Sequence, residues 1–350
     1  MTAIVTATRY LNPMPLVNIA WRCKKTVAIA SLILGAAIPY YLYYSICAPR
    51  TEENAQGPKV INRFMRVFTP PDHNQITEIK DLRYVEERSD LRIIADRYVV
   101  EWKDLIARLW SVWERLRDVC RMPSGIYVTP ENITFANNSI RLYVFVHGLR
   151  GHPSHWNTYS KAIAAKDSQA DVMQVYVPHS GNCSCREATD AIFQKIQAYV
   201  EDRSDRKVAL IGTSRGGPLV LDLADQIHTQ SPNTKVFVAT IAGANHGSRF
   251  MNWINKIPLI NRMHDETLRA ELEYNETTRY KLQEGNASKE YHAYTAVDDR
   301  TVVPFTSSLL HSTAKNVHNY VVRGGEGHIS IVDHVQEDLV NKCVAFMKSG

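Results

Sequence analysis

The run Gly212-Thr213-Ser214-Arg215-Gly216-Gly217 is the part of the sequence best suited to chemistry. Serine is a weak nucleophile until a base takes its proton, and an attacked carbonyl needs donors for the charge that develops on its oxygen. Glycines two before and two after the serine suit a turn too tight for side chains. Such a turn strains the serine backbone and pushes the hydroxyl outward. Arg215 then opens a helix, and its N–H faces any oxyanion formed beside the serine. Together these features describe covalent acyl transfer. A Gly-x-Ser-x-Gly run means little alone, but here 207–211 (KVALI) reads as a buried strand entering the turn and 218–228 as the helix leaving it.

The serine needs a base, and the chain offers 13 His. Those after the pair Asp298-Asp299 are His311, His318, His328 and His334. His318 starts a strand and His334 lies in a helix, so both read as structural. His328 stands in Gly324-Gly325-Glu326-Gly327-His328-Ile329-Ser330, between the strand 317–322 and the last helix. A glycine loop at a strand's carboxyl end can carry a side chain to a neighbouring loop.

The positioning elements follow from apolar periodicity. Runs at 141–146, 171–177, 207–211, 235–241, 291–297 and 317–322 are continuous and apolar, as in strands buried on both faces. Helical periods at 188–200, 218–228 and 333–347 separate them. This alternation predicts an α/β fold with a mostly parallel central sheet and helices on both faces. Residues 250–285, rich in Asn, Arg and Glu, interrupt the order and read as a cap or lid over the site.

Elbow and alternation together resemble the α/β-hydrolase family over roughly residues 135–350. Val146-His147-Gly148-Leu149-Arg150-Gly151 is similar to the His-Gly loop after the third strand of lipases and esterases, with Trp156 following. The resemblance makes the N–H of Leu149 the second oxyanion donor, opposite that of Arg215. Thr240-Ile241-Ala242-Gly243-Ala244-Asn245-His246-Gly247-Ser248 is similar to the lipase segment after the next strand. The family order of serine, acid and histidine implies Ser214, then an aspartate, then His328. Asp298-Asp299-Arg300-Thr301-Val302-Val303-Pro304 looks like the family's D-x-x-V-P turn. Asp299 is the expected acid and Asp298 the alternative. The elbow departs from the usual lipase form at Thr213 and Arg215, which leaves the substrate class open.

Composition bounds the rest. With 350 residues, 45% hydrophobic and 22% charged, the chain is long enough for one sizeable core and too ordinary for a fibrous or disordered class. A net charge of +5 falls short of a nucleic-acid binder's concentrated basic patch, so no nucleic-acid partner is expected. Mean hydropathy of -0.27 excludes a polytopic membrane protein but not one span. Residues 26–46 (TVAIASLILGAAIPYYLYYSI) are 21 residues without formal charge, enough for a hydrocarbon core of about 30 Å. Arg22, Lys24 and Lys25 precede them and four tyrosines cluster at the far end. A transmembrane signal anchor is expected, with a cleaved signal and a soluble helix as alternatives. The basic flank keeps the N-terminus cytoplasmic and carries the rest across. Three segments follow: residues 1–50 with the anchor, a linker and amphipathic helical arm over 51–124 with its helical stretch at roughly 76–120, and a hydrolase domain over 125–350.

Six cysteines are too few for a disulfide scaffold, and Cys183-Ser184-Cys185 with His179 supplies only three of the four ligands a zinc ion wants. The expected reaction needs no cofactor and no metal. The expected substrate is a carboxylic ester of a lipid or other apolar acyl group. A thioester or amide on the same triad and a catalytically silent membrane-bound module are the alternatives.

Overall fold

A computed structural model describes residues 76–80, 127–128, 139–202, 205–256, 264–275, 277, 280–323 and 326–349. The chain divides into two compact units, 1–62 and 63–350, and the described residues lie in the second. The anchor expected at 26–46 and, beyond residue 80, the helical stretch expected at roughly 76–120 fall outside them. Among the described residues no helix is long and apolar enough to cross a membrane.

Among the described residues eight strands form one sheet: β1 (Ile76–Ile79), β2 (Tyr127–Val128), β3 (Arg141–Val146), β4 (Ala170–Val175), β5 (Lys207–Thr213), β6 (Lys235–Ile241), β7 (Lys289–Ala296) and β8 (Val317–Val322). Their order is β1-β8-β7-β6-β5-β3-β4-β2. β1 runs antiparallel to β8, and every other pair is parallel. The helices are α1 (Asn157–Lys166), α2 (Cys185–Asp202), α3 (Gly216–Gln230), α4 (Arg249–Ile254), α5 (Glu266–Leu272), α6 (Ser330–His334) and α7 (Gln336–Lys348).

Side chains alternate across the sheet, so successive strand residues feed two different cores. Leu142, Val144 and Val146 of β3 point to the face covered by α2 and α3, where Ile192, Ile196, Leu219 and Leu223 are buried. Tyr143 and Phe145 point to the other face, against Trp156, Tyr159 and Ile163 and against Leu339 and Cys343 of α7. Both faces of the strands are dry, which is why they read as continuous apolar runs.

Two expectations need correction. The helical stretch expected from 76 begins instead with strand β1, whose Ile76 pairs with Val322 and Ile79 with Asn319. Ile-Thr-Glu-Ile is β-branched at three of four positions and closes the hydrogen-bonding edge of β8. A four-residue strand is too short to show a period beside a strong helical stripe. The sheet therefore recruits residues from the segment expected to be only linker and helical arm. The closing helix expected at 333–347 is two helices, α6 and α7, with Val335 between them.

Candidate active site

The elbow is where the sheet's geometry turns into reactivity. β5 ends at Thr213, α3 begins at Gly216, and Ser214 sits between them at φ 54°. A non-glycine residue in that region is strained. Ser214 N–H donates to the Ile241 carbonyl at 3.0 Å, and the Ser214 carbonyl accepts from Gly217 and Ala244 N–H, each at 3.0 Å. These bonds hold the strained turn. A Cβ on Gly212 would stand 2.2 Å from the Gly216 carbonyl oxygen, and one on Gly216 would stand 2.4 Å from that of Val146. Both glycines are needed because backbone passes where a side chain would be.

The loop after β3 lies directly against the serine. A Cβ on Gly148 would fall 2.7 Å from the Ser214 Cβ and 3.3 Å from its Oγ. His147 is fully buried and fixes the loop, with Nδ1 bonded to the Gly148 carbonyl at 2.8 Å and Nε2 accepting from Val177 N–H at 3.1 Å. That pattern assigns the neutral imidazole with its proton on Nδ1. Arg150 N–H donates to Ser180 at 2.6 Å, tying the loop to the turn Pro178–Gly181. The N–H groups of Leu149 and Arg215 make no hydrogen bond among the described residues.

Asp299 and His328 come from loops after β7 and β8, so both reach the sheet edge where β5 delivers Ser214. The two meet directly: His328 Nδ1 lies 2.7 Å from Asp299 Oδ2. The other oxygen, Oδ1, accepts from Thr301 N–H at 2.7 Å and Val302 N–H at 2.9 Å. Both residues are buried. With Nδ1 engaged by the carboxylate, Nε2 is the ring nitrogen left to face a hydroxyl. The His328 loop is braced by Gly327 N–H to Ser330 Oγ at 2.9 Å and by the buried Glu326–His334 pair at 3.4 Å. His334 is thus structural, and His318 belongs to the sheet, where it pairs with Glu78.

His246-Gly247-Ser248 serves the aspartate loop. Ser248 Oγ donates to the Thr301 carbonyl at 2.6 Å and accepts from Val303 N–H at 3.0 Å. His246 Nε2 bonds Tyr280 Oη at 2.8 Å and its ring stacks on His311. Helices α4 and α5, from the segment expected to be a cap, put Met251, Leu268 and Leu272 into a small apolar cluster with Ala244, Val302 and Leu149. This cluster joins α4 and α5 to loops on the serine's side of the sheet.

Sequence reasoning missed Glu271. Its carboxylate, on α5, pairs with the buried guanidinium of Arg215 and also accepts the Cys185 N–H that opens α2, at 2.9 and 3.0 Å. The unusual Arg215 at the elbow was the available signal, since a buried guanidinium demands an acidic partner. Burial pushes the nearby thiols up, Cys183 to about 11 and Cys185 to about 12, so neither is a thiolate nucleophile at neutral pH.

Residues 136–254, about a third of the chain, match the family described as "Putative serine esterase (DUF676)". The match spans the His147 loop and the elbow and ends before Asp299 and His328. No curated protein matches the chain. Similar solved structures include an α/β-hydrolase superfamily protein from Enterococcus faecalis, at 14% identity and TM-score 0.42 over 61% of this chain and 93% of that one. The type II thioesterase BorB of the borrelidin biosynthetic cluster aligns at 17% identity and TM-score 0.41 over 62% of this chain and 95% of its own. Lipase B of Aspergillus fumigatus aligns at 14% identity and TM-score 0.40 over 59% of this chain and 52% of its own. Scores of this size leave the fold assignment to the strand order and the elbow themselves. A serine held left-handed at the mouth of a parallel sheet, inside a stretch that matches a serine-esterase family, gives this chain a likeness in fold and elbow to esterase-like α/β-hydrolases.

Proposed function

We propose that the protein hydrolyses carboxylic esters with apolar acyl groups through Ser214, His328 and Asp299. The observation that carries this reading is the 2.7 Å bond between His328 and Asp299 at the sheet edge where Ser214 is strained outward. His328 Nε2 takes the Ser214 proton as Oγ attacks the acyl carbon. The carbonyl oxygen becomes an oxyanion and accepts from the N–H groups of Leu149 and Arg215. The tetrahedral intermediate collapses, the C–O bond to the alcohol breaks, and the imidazolium returns its proton to the leaving oxygen. A water, deprotonated by His328, then attacks the acyl carbon, the bond from that carbon to Ser214 Oγ breaks, and the imidazolium returns its proton to Oγ as the carboxylic acid departs. Asp299 keeps the imidazole in one tautomer throughout.

The apolar cluster of Leu149, Ala244, Met251, Leu268, Leu272 and Val302 supports an apolar acyl chain. The uncharged run at 26–46 supports a single membrane anchor, with the N-terminus cytoplasmic and the hydrolase on the far side. That placement would bring the site to ester lipids. The test is fluorophosphonate labelling of the full chain in detergent micelles, wild type beside Ser214→Ala. Labelling confined to wild type, followed by turnover of p-nitrophenyl esters, is expected. A panel of matched thioesters and amides then ranks the leaving groups. Labelling of neither protein in micelles, with no ester turnover, would replace this reading with a silent binding module.

A further inference from the structure

At the opposite end of the sheet, four titratable side chains gather on one face of three neighbouring strands. Glu290 and His292 lie two apart on β7, so both point the same way. His318 of β8 is paired in register with His292. Glu78 of β1 is paired with Tyr320, two residues beyond His318. Ligand atoms of Glu290, His292 and His318 all lie within 4.8 Å of one another. His292 Nε2 is 2.6 Å from a Glu290 oxygen, and His318 Nδ1 is 2.9 Å from a Glu78 oxygen.

Nothing in sheet packing asks for this cluster. The same face carries Phe237, Tyr294, Tyr320 and Val322, an apolar layer against α7. His292 sits inside that layer at 2% exposure, stacked on Phe237 and on His318. Among the described residues its Nδ1 has no hydrogen-bond partner. A buried polar atom left so costs about 1–3 kcal/mol. Lys342 stands 4.0 Å over the Tyr320 ring and is paired with Asp338.

We propose that Glu290, His292 and His318 bind a divalent zinc-class ion, with Glu78 orienting the His318 ring. One carboxylate and two imidazoles on rigid strands form a borderline N/O donor set, which suits zinc better than the all-oxygen ions. Ligand atoms around such an ion stand about 3.3 Å apart, following from bonds of about 2.0–2.1 Å. The side chains therefore need to close by no more than about 1.5 Å, a rotamer-scale adjustment. Two carboxylates, Glu78 and Glu290, balance the ion's charge. A carboxylate holding the far nitrogen of a ligating histidine is the usual outer support of such sites.

The ion would be structural. Glu290 is level with Ala209 of β5, and His292 with Ile211, across the strand register. Ser214 is three to five residues further on, about 10–17 Å along the strands. The site instead joins β7 and β8 and, through Glu78, the short edge strand β1.

The test uses the full chain in detergent, stripped with chelator and titrated with zinc chloride against a chromophoric competitor. One equivalent per chain is expected, with thermal unfolding shifted upward by zinc. Glu290→Gln and His318→Gln change half-exposed side chains and should each weaken binding on the order of a hundredfold; Glu78→Gln should weaken it about tenfold. Cobalt loading should give the visible bands of a four-coordinate N/O site in wild type only. Fluorophosphonate labelling of Ser214 should be unchanged in the variants, which separates this site from the hydrolase reading. Zinc binding that survives in the Glu290→Gln/His318→Gln double variant, or no stoichiometric binding by folded wild type, would overturn the proposal.

Discussion

The carboxylate of Glu271 reaches from helix α5 to the guanidinium of Arg215, the residue next to Ser214. Arg215 is 2% exposed and Glu271 about a quarter exposed, so the pair is largely removed from water. The same carboxylate sits at the N-terminus of α2, where a negative charge is favourable. One acidic side chain thus holds together the elbow, α5 and the helix that follows the Cys183 loop.

Breaking that link should damage stability and activity differently. Glu271→Gln leaves a buried guanidinium without its counter-charge and is expected to cost about 3–5 kcal/mol in chemical denaturation. Replacing both, as Arg215→Leu/Glu271→Leu, should recover much of the stability. It should not recover kcat/KM, because α5 is then no longer tied to the elbow. Full activity in the double variant would show that the pair serves folding alone.

The two adjacent aspartates should separate cleanly. Asp299→Asn keeps the shape but loses the charge that orients His328, and kcat for ester hydrolysis is expected to fall about 10³–10⁴-fold. Asp298→Asn should change kcat less than about tenfold by the same logic. Steady-state kinetics on a short p-nitrophenyl ester distinguish them, and equal losses would refute the assignment of Asp299.

Gly216→Ala places a methyl 2.4 Å from the Val146 carbonyl oxygen, which is backbone and cannot rotate away. The elbow must then shift, and fluorophosphonate labelling of Ser214 should disappear even where the protein still folds. Retained labelling would mean the turn relaxes without moving the serine.

A pH prediction rests on Asp167. Arg141 donates to both of its oxygens, at 2.6 and 2.8 Å, and Tyr143 donates at 2.9 Å. Burial alone would raise the Asp167 pKa, but these donors outweigh it and hold the carboxyl below its ordinary value. A folded pKa below the unfolded one makes the contribution complete above the unfolded value of about 3.9 and removes it as pH falls through the folded value. Asp167→Asn should therefore destabilise by about 1–3 kcal/mol at pH 7. The difference from wild type should shrink below about pH 4, as read from denaturant midpoints across pH. A difference constant with pH would show that packing, and not charge, is what Asp167 contributes.

Much of this was legible in the primary structure because the physics is local. The strands β3, β5 and β6 are buried on both faces, so their apolar runs stand out without any knowledge of neighbours. The elbow is likewise local: glycines at 212 and 216 are dictated by backbone contacts within five residues or with the adjacent strand. Strand β1 was not legible, because its four residues become a strand only when β8 offers an edge. Residue types alone left Asp298 and Asp299 open. The choice between them depends on which carboxylate the His328 loop meets, 29 residues away. Glu271 stands 56 residues from Arg215, and the two histidines stacked across β7 and β8 lie in separate strands. Short-range sterics and burial patterns are written along the chain. Pairings between distant charges are decided only when the sheet brings their strands and loops to the same place.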